Sequence, residues 1–170
     1  ASLDGIKAVF LDLDGTIYLG GNLIPGALEF LHRCDEQGVQ RFFLSNNSSR
    51  SVTQYVKKLE GMGIPATADD VLLSTHDCLA WLKKNNVTKT YCVGTEGMCK
   101  MLEAEGISTR SLKPQYVVLG YDTETTYEKL ETASLHLHAG VPLMASHPDM
   151  VCPSPDGGLP DVGAFLALFK

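Results

Sequence analysis

No stretch of this 170-residue chain approaches the roughly eighteen consecutive apolar residues that a membrane helix needs. The start of the chain also lacks the basic and apolar blocks of a secretory leader, carrying Asp4, Asp12 and Asp14 instead. A cytoplasmic protein is the expectation, and the sequons "NNS", "NSS" and "NVT" then read as accidental. Five cysteines (Cys34, Cys78, Cys92, Cys99 and Cys152) include no CxxC pair, and their number is odd. That argues against a disulfide framework and for reduced, partly buried thiols. Positive charge is also scarce: Lys and Arg total 14 against 20 Asp and Glu, a net charge of −6. Such a balance excludes a basic nucleic-acid footprint. There is no internal repeat, low-complexity tract or evident linker. A hydrophobic fraction of 44% is enough for a packed core.

What remains is an alternation. "IKAVFLDL" (6–13) is apolar enough for a strand buried on both faces. "PGALEFLHRCDEQG" (25–38) places Ala27, Phe30, Leu31 and Cys34 at helical spacing, between an opening proline and a closing glycine. "VQRFFLS" (39–45) is a second strand, "SRSVTQYVKKLEGMG" (49–63) a second helix and "DDVLLST" (69–75) a third short strand. The beat continues through "HDCLAWLKKN", "KTYCVG", "EGMCKMLEAEG", "PQYVVLGY", "TTYEKLETASLHLHAG" and "VPLMAS". It predicts an α/β fold with a mostly parallel sheet and crossover helices. A second α/β module is expected beyond the third strand, with its boundary near Thr75–Asp77. The tail "LPDVGAFLALFK" (159–170) begins like a helix capped by Asp161 and is almost wholly apolar, so it is either a helix cut short or one that docks.

Ligands of parallel sheets bind beyond the carboxyl ends of the strands. Two polar stretches fall there: Asp12-Leu13-Asp14-Gly15-Thr16 and Ser45-Asn46-Asn47-Ser48-Ser49. Burying carboxylates is costly unless they are paired, and two close together suit a hard cation such as Mg²⁺. A carboxylate can attack phosphorus, while its neighbour supplies and removes the proton. Gly15 permits a tight turn that leaves backbone N–H groups for an anion, and Ser45 with the two asparagines offers neutral donors ahead of a helix. A plain Asp-Gly turn and a plain helix cap are the competing reading of each stretch, weakened by their occurrence in register.

"VFLDLDGTIYLGGNLIPGALEFL" followed by "FFLSNNSSRS" closely resembles the haloacid dehalogenase superfamily, in its NagD-like or 4-nitrophenylphosphatase branch. "YVVLGYDTETTYEKL" and "LMASHPDMVCPSPDGGLPDVGAFLAL" are similar to that branch's cap domain and the segment after it. The resemblance implies a Rossmann-like core with a parallel sheet and an inserted α/β cap domain. Residues 1–75 would be the N-terminal part of the core and 76–170 the cap. It implies Asp12 as nucleophile and Mg²⁺ ligand, and Asp14 as general acid/base with its carbonyl on the metal. Ser45 would bind the transferring phosphoryl group, with Asn46 and Asn47 holding phosphate or substrate. The implied reaction is Mg²⁺-dependent hydrolysis of a small phosphorylated metabolite through an aspartyl-phosphate. Caps of this family often mediate dimers, so the implied assembly is a homodimer through the cap, without nucleic acid or membrane.

The family's Gly-Lys-Pro lysine and its later Gly-Asp pair lie after the cap, and neither occurs in these 170 residues. The expectation is therefore that the returning half of the core is missing. A non-catalytic phosphate- or metal-binding module stays open as the alternative. A response-regulator receiver is a weaker rival, because Ser74-Thr75 stand where its phosphoacceptor would be. Among lesser candidates, His136 and His138 point to different faces of a helix, and "VGTEG" (93–97) reads as a tight turn. His147 and Asp149 follow the last strand, where substrate contact and loop stabilisation are both open.

Overall fold

A computed structural model describes residues 3–170. The chain divides into two compact units. The first comprises the described residues up to Ser45, with Val52–Leu72 and Pro153–Gly158; the second comprises Asn46–Ser51, Leu73–Cys152 and Leu159–Lys170.

The first unit is built on a three-stranded sheet in the order β1 (Ala8–Asp12), β4 (Gln40–Ser45) and β5 (Val71–Leu73). Strands β1 and β4 run parallel, with Phe10 opposite Phe42 and Asp12 opposite Leu44. A tight hairpin of β2 (Tyr18–Leu19) and β3 (Asn22–Leu23) leads into helix α1 (Ala27–Glu36), and α2 (Val52–Gly61) follows β4. Helix α1 buries Leu31 and Cys34 on one stripe, and Cys34 and Phe30 pack with Val9 of β1. The other face of the sheet differs from expectation. Phe10 is 61% exposed and stacks on Phe42 at 5.2 Å, with Leu44 and Leu72 also exposed. Within the described residues, β1 is therefore covered on one face.

The third strand is also shorter than the sequence suggests. Thr67 donates from its backbone N–H and its hydroxyl to Asp70 Oδ2, at 2.7 and 2.9 Å, closing a 3₁₀ turn over Ala68–Asp70. His76 Nδ1 accepts from Leu73 N–H at 2.9 Å, so helix α3 (Ser74–Lys84) opens directly after β5. Ser74 and Thr75 lie in that helix rather than at a strand end.

The second unit carries parallel strands β6 (Thr90–Val93), β7 (Tyr116–Leu119) and β8 (Leu143–Ala145) in sequential order. Here the alternation fills both faces. Cys92 and Val118 pack with Leu79 and Leu82 of α3 and with Met98 and Leu102 of α4 (Glu96–Ala104). Tyr91, Val93, Val117 and Leu119 pack with Ala133 of α5 (Tyr127–His138) and Val162 of α6 (Val162–Leu168). The apolar tail therefore docks: Phe165, Leu166 and Phe169 join this second layer. Between β8 and α6 runs the hairpin β9 (Val151–Ser154) and β10 (Gly157–Pro160), which the sequence reading did not anticipate.

At the carboxyl end of β7, Asp122 has a fully buried carboxylate held by Lys129 Nζ at 2.9 Å. The same ammonium donates to the Gly94 and Glu124 carbonyls, so a charge that would be costly alone is paired and hydrogen-bonded. Among the described residues, no helix is long and apolar enough to cross a membrane.

Candidate active site

The geometry starts at Leu13, which is fully buried between Asp12, the last residue of β1, and Asp14, on the turn that follows. The Thr16 and Ile17 amides both donate to Leu13 O, at 3.2 and 3.0 Å, and Gly15 N–H donates to Tyr18 O at 2.7 Å. This closed turn needs a positive φ at Gly15, which is +88°. Asp12 ends β1 with an exposed carboxylate, and Thr16 Oγ1 donates to its Oδ2 at 3.3 Å. Asp14 is half-buried and bridges to Tyr18. The Tyr18 ring is fully buried with Lys58 Nζ 3.7 Å from its centroid, a contact that pins the turn from below.

Because Asp12 is in register with Leu44, Ser45 at the end of β4 is one residue beyond that pairing. The structure thus brings Asp12 and Ser45 to adjacent carboxyl ends of one parallel sheet, with Asp14 two residues further along the turn. Ser45 is buried, its Oγ 3.3 Å from the Tyr55 hydroxyl of α2.

The chain then passes into the second unit, where Asn46 and Asn47 are held closely. Asn46 Nδ2 donates to Asp149 Oδ2 in a short hydrogen bond, and Asn46 O accepts from Ser74 Oγ at 2.7 Å. Asn47 Oδ1 accepts from Ser49 N–H at 2.9 Å, a local turn that asparagine favours. Ser48 was read only as part of a polar stretch, yet it is fully buried against Ser146 and the Tyr121 amide. A serine in a run of polar residues carries no periodic signal that would reveal this. His147 turns inward onto Asp161, and Asp149 stays exposed on Asn46.

The lesser candidates have ordinary partners. The His136 ring lies 5.3 Å from that of Tyr91. Thr95 caps α4 by accepting from Met98 N–H, and the Glu96 amide donates to Glu124 Oε2 at 2.8 Å.

As a cation site, Asp12 and Asp14 offer hard oxygen donors of the kind a divalent metal takes. They fit such an ion in kind while supplying only part of an octahedral shell. Among the described residues, no group of three or more His, Cys, Asp or Glu is placed to hold a metal.

Known proteins are similar to this chain in sequence and in fold. The acid sugar phosphatase of Staphylococcus saprophyticus is 34% identical over 164 residues, which cover 95% of this chain and 63% of that protein. The chain thus spans less than two thirds of that relative's length. Among solved structures, the 4-nitrophenylphosphatase of Thermotoga maritima superposes with a TM-score of 0.90 at 39% identity, covering 98% of this chain and 64% of its own. The glycerol phosphate phosphatase of Mycobacterium tuberculosis, solved with magnesium, gives 0.87 at 28% identity, covering 96% and 50%. The sequence profile of haloacid dehalogenase-like hydrolases matches residues 9–108, the span that holds both strand-end motifs. With its α/β architecture and parallel sheets, the chain belongs to the haloacid dehalogenase-like hydrolase family.

Proposed function

We propose that the protein hydrolyses a small phosphomonoester through an aspartyl-phosphate on Asp12. The observation that carries this reading is the placement of Asp12 and Ser45 at adjacent ends of parallel strands, with Asp14 on the turn that follows the buried Leu13. The phosphatase names of the relatives support it.

In this reading an Asp12 carboxylate oxygen attacks phosphorus, and the bond to the ester oxygen breaks. Asp14, protonated at that stage, gives its proton to the departing alkoxide. It then takes a proton from the water that attacks the phosphoryl-aspartate, releasing phosphate and regenerating Asp12. Ser45 Oγ and the Asn46 and Asn47 side-chain amides donate to the phosphoryl oxygens. The Asp12 carboxylate and the Asp14 backbone carbonyl would hold Mg²⁺, which when bound offsets the charge of the phosphoryl oxygens. The neighbour solved with magnesium, and also with calcium, supports a divalent cation there. Residues 1–75 serve as the N-terminal part of a Rossmann-like core and 76–170 as an α/β cap that admits the substrate and pairs two copies.

The test is release of 4-nitrophenol from 4-nitrophenyl phosphate. Asp12→Asn is expected to abolish it, and retained turnover would remove Asp12 as the nucleophile. A second reading, a binding module without turnover, is favoured by the engagement of two phosphate donors inside the protein, Ser45 with Tyr55 and Asn46 with Asp149. Inactive wild-type protein that still binds inorganic phosphate or Mg²⁺ by calorimetry would select that reading.

A further inference from the structure

Two serines and an imidazole with no part in phosphoryl transfer touch one another in the second unit. Ser48 Oγ accepts from Tyr121 N–H at 2.8 Å and lies 2.9 Å from Ser146 Oγ. Ser146 Oγ lies 3.0 Å from His147 Nδ1, and His147 Nε2 lies 2.9 Å from Asp161 Oδ1. That same oxygen accepts from Val162 N–H at 2.6 Å, capping α6. Ser48 is fully buried, and His147 and Asp161 are 8% and 4% exposed. Groups so deeply placed must satisfy one another.

The two ends of the row decide which way its protons point. At one end a backbone N–H can only donate, so Ser48 Oγ accepts. At the other end Asp161 Oδ1 accepts from Val162 N–H and from His147 Nε2, so the ring in its uncharged form carries its proton on Nε2 and presents a lone pair at Nδ1. Each serine has one proton to give. Ser146 therefore donates to His147 Nδ1, and Ser48 donates to Ser146.

We propose that Ser48, Ser146, His147 and Asp161 form a one-directional hydrogen-bond chain that fixes the loop bearing Asn46 and Asn47. His147 and Ser146 are then positioning residues for phosphate binding, an assignment that rests on the phosphatase reading of those asparagines. The loop is ordered from within by the Asn47–Ser49 turn and from Ser74 at Asn46 O. The serine row adds a tether at Ser48, the one side chain of the Asn46–Ser49 stretch that is fully buried. Its anchor at the far end is the cap of α6, so the apolar tail and the phosphate loop share a single proton arrangement.

Ser146→Ala tests the chain and leaves the His147–Asp161 contact and the α6 cap in place. Removing one buried hydrogen bond is expected to raise amide exchange at Tyr121 and Ser49 roughly tenfold. Ser146→Thr, which keeps the hydroxyl, is expected to restore the slow exchange. In the wild type, nitrogen NMR of the His147 ring is expected to show the neutral Nε2–H tautomer. With 4-nitrophenyl phosphate, Ser146→Ala is expected to raise KM about tenfold with kcat within about twofold, the pattern of lost ground-state positioning. Unchanged exchange in Ser146→Ala, or an Nδ1–H tautomer in the wild type, would overturn the chain. A loosened loop with unchanged KM would overturn its role in phosphate binding. Wild-type protein that shows the exchange response without turnover speaks against the phosphatase reading and leaves the hydrogen-bond chain supported.

Discussion

Among the five cysteines, all buried, Cys99 is set apart by its surroundings. The neighbouring Cys92 thiol lowers the Cys99 thiol below its usual range; burial opposes this, and the nearby Arg110 guanidinium and Thr109 reinforce it. Cys92 shifts the opposite way, raised by its interaction with Cys99 and by burial. Burial pushes Cys78 up to about 12. The thiolate is the nucleophile, so alkylation of Cys99 by iodoacetamide should level off at a lower pH than that of an ordinary cysteine. Cys78 should remain unmodified at pH 8. Peptide mass mapping after timed quenching reads both, and equal labelling of Cys78 and Cys99 would contradict the environment described. The sequence showed only that these thiols are reduced and partly buried, because Cys92 and Cys99 meet through the crossing of β6 and α4, not through a recognisable spacing.

At the scale of elements, α6 meets the His147–Asp149 stretch so closely that one position has room only for glycine. A Cβ on Gly163 would lie 2.3 Å from Pro148 O, and Gly163 N–H donates to Asp149 O at 2.7 Å. Glycine inside a helix ordinarily costs about 1 kcal/mol relative to alanine, so Gly163→Ala would stabilise an isolated α6. In this fold the clash with backbone reverses the sign, and the variant should lose about 2 kcal/mol or more by urea unfolding. A gain in stability would show that α6 can shift away. The helices and long strands were legible in advance because a 3.6-residue period or a continuous apolar run marks them. The β2–β3 and β9–β10 hairpins were not, since two-residue strands and a Pro153/Gly157/Gly158 segment hold no period. The candidate site divides the same way. Asp12, Asp14 and Ser45 announce themselves as polar residues ending apolar runs, whereas the β1–β4 register and the His147–Asp161 pair, 14 residues apart, are tertiary facts.

At the scale of the molecule, the first sheet leaves Phe10, Leu44 and Leu72 exposed on one face beside the Phe10–Phe42 stack, while the second sheet is covered on both. Contiguous apolar surface of that kind binds hydrophobic dyes. Phe10→Ser should lower the fluorescence of bound anilinonaphthalene sulfonate without loss of secondary structure, and unchanged fluorescence would place the dye elsewhere. The two sheets differ in another respect. The strands of the second follow one another in sequence, yet that unit is not one continuous length of chain. It borrows Asn46–Ser51 from between β4 and α2, and with it Ser48, whose hydroxyl meets the Tyr121 amide and Ser146. A polypeptide excised from Leu73 onward would contain every strand and helix of that unit and still lack the Ser48 hydroxyl that receives the Tyr121 N–H. Six residues encoded well upstream thus belong to the second unit, so recombination at the apparent boundary would transfer its strands and helices without the hydroxyl that joins Tyr121 to Ser146.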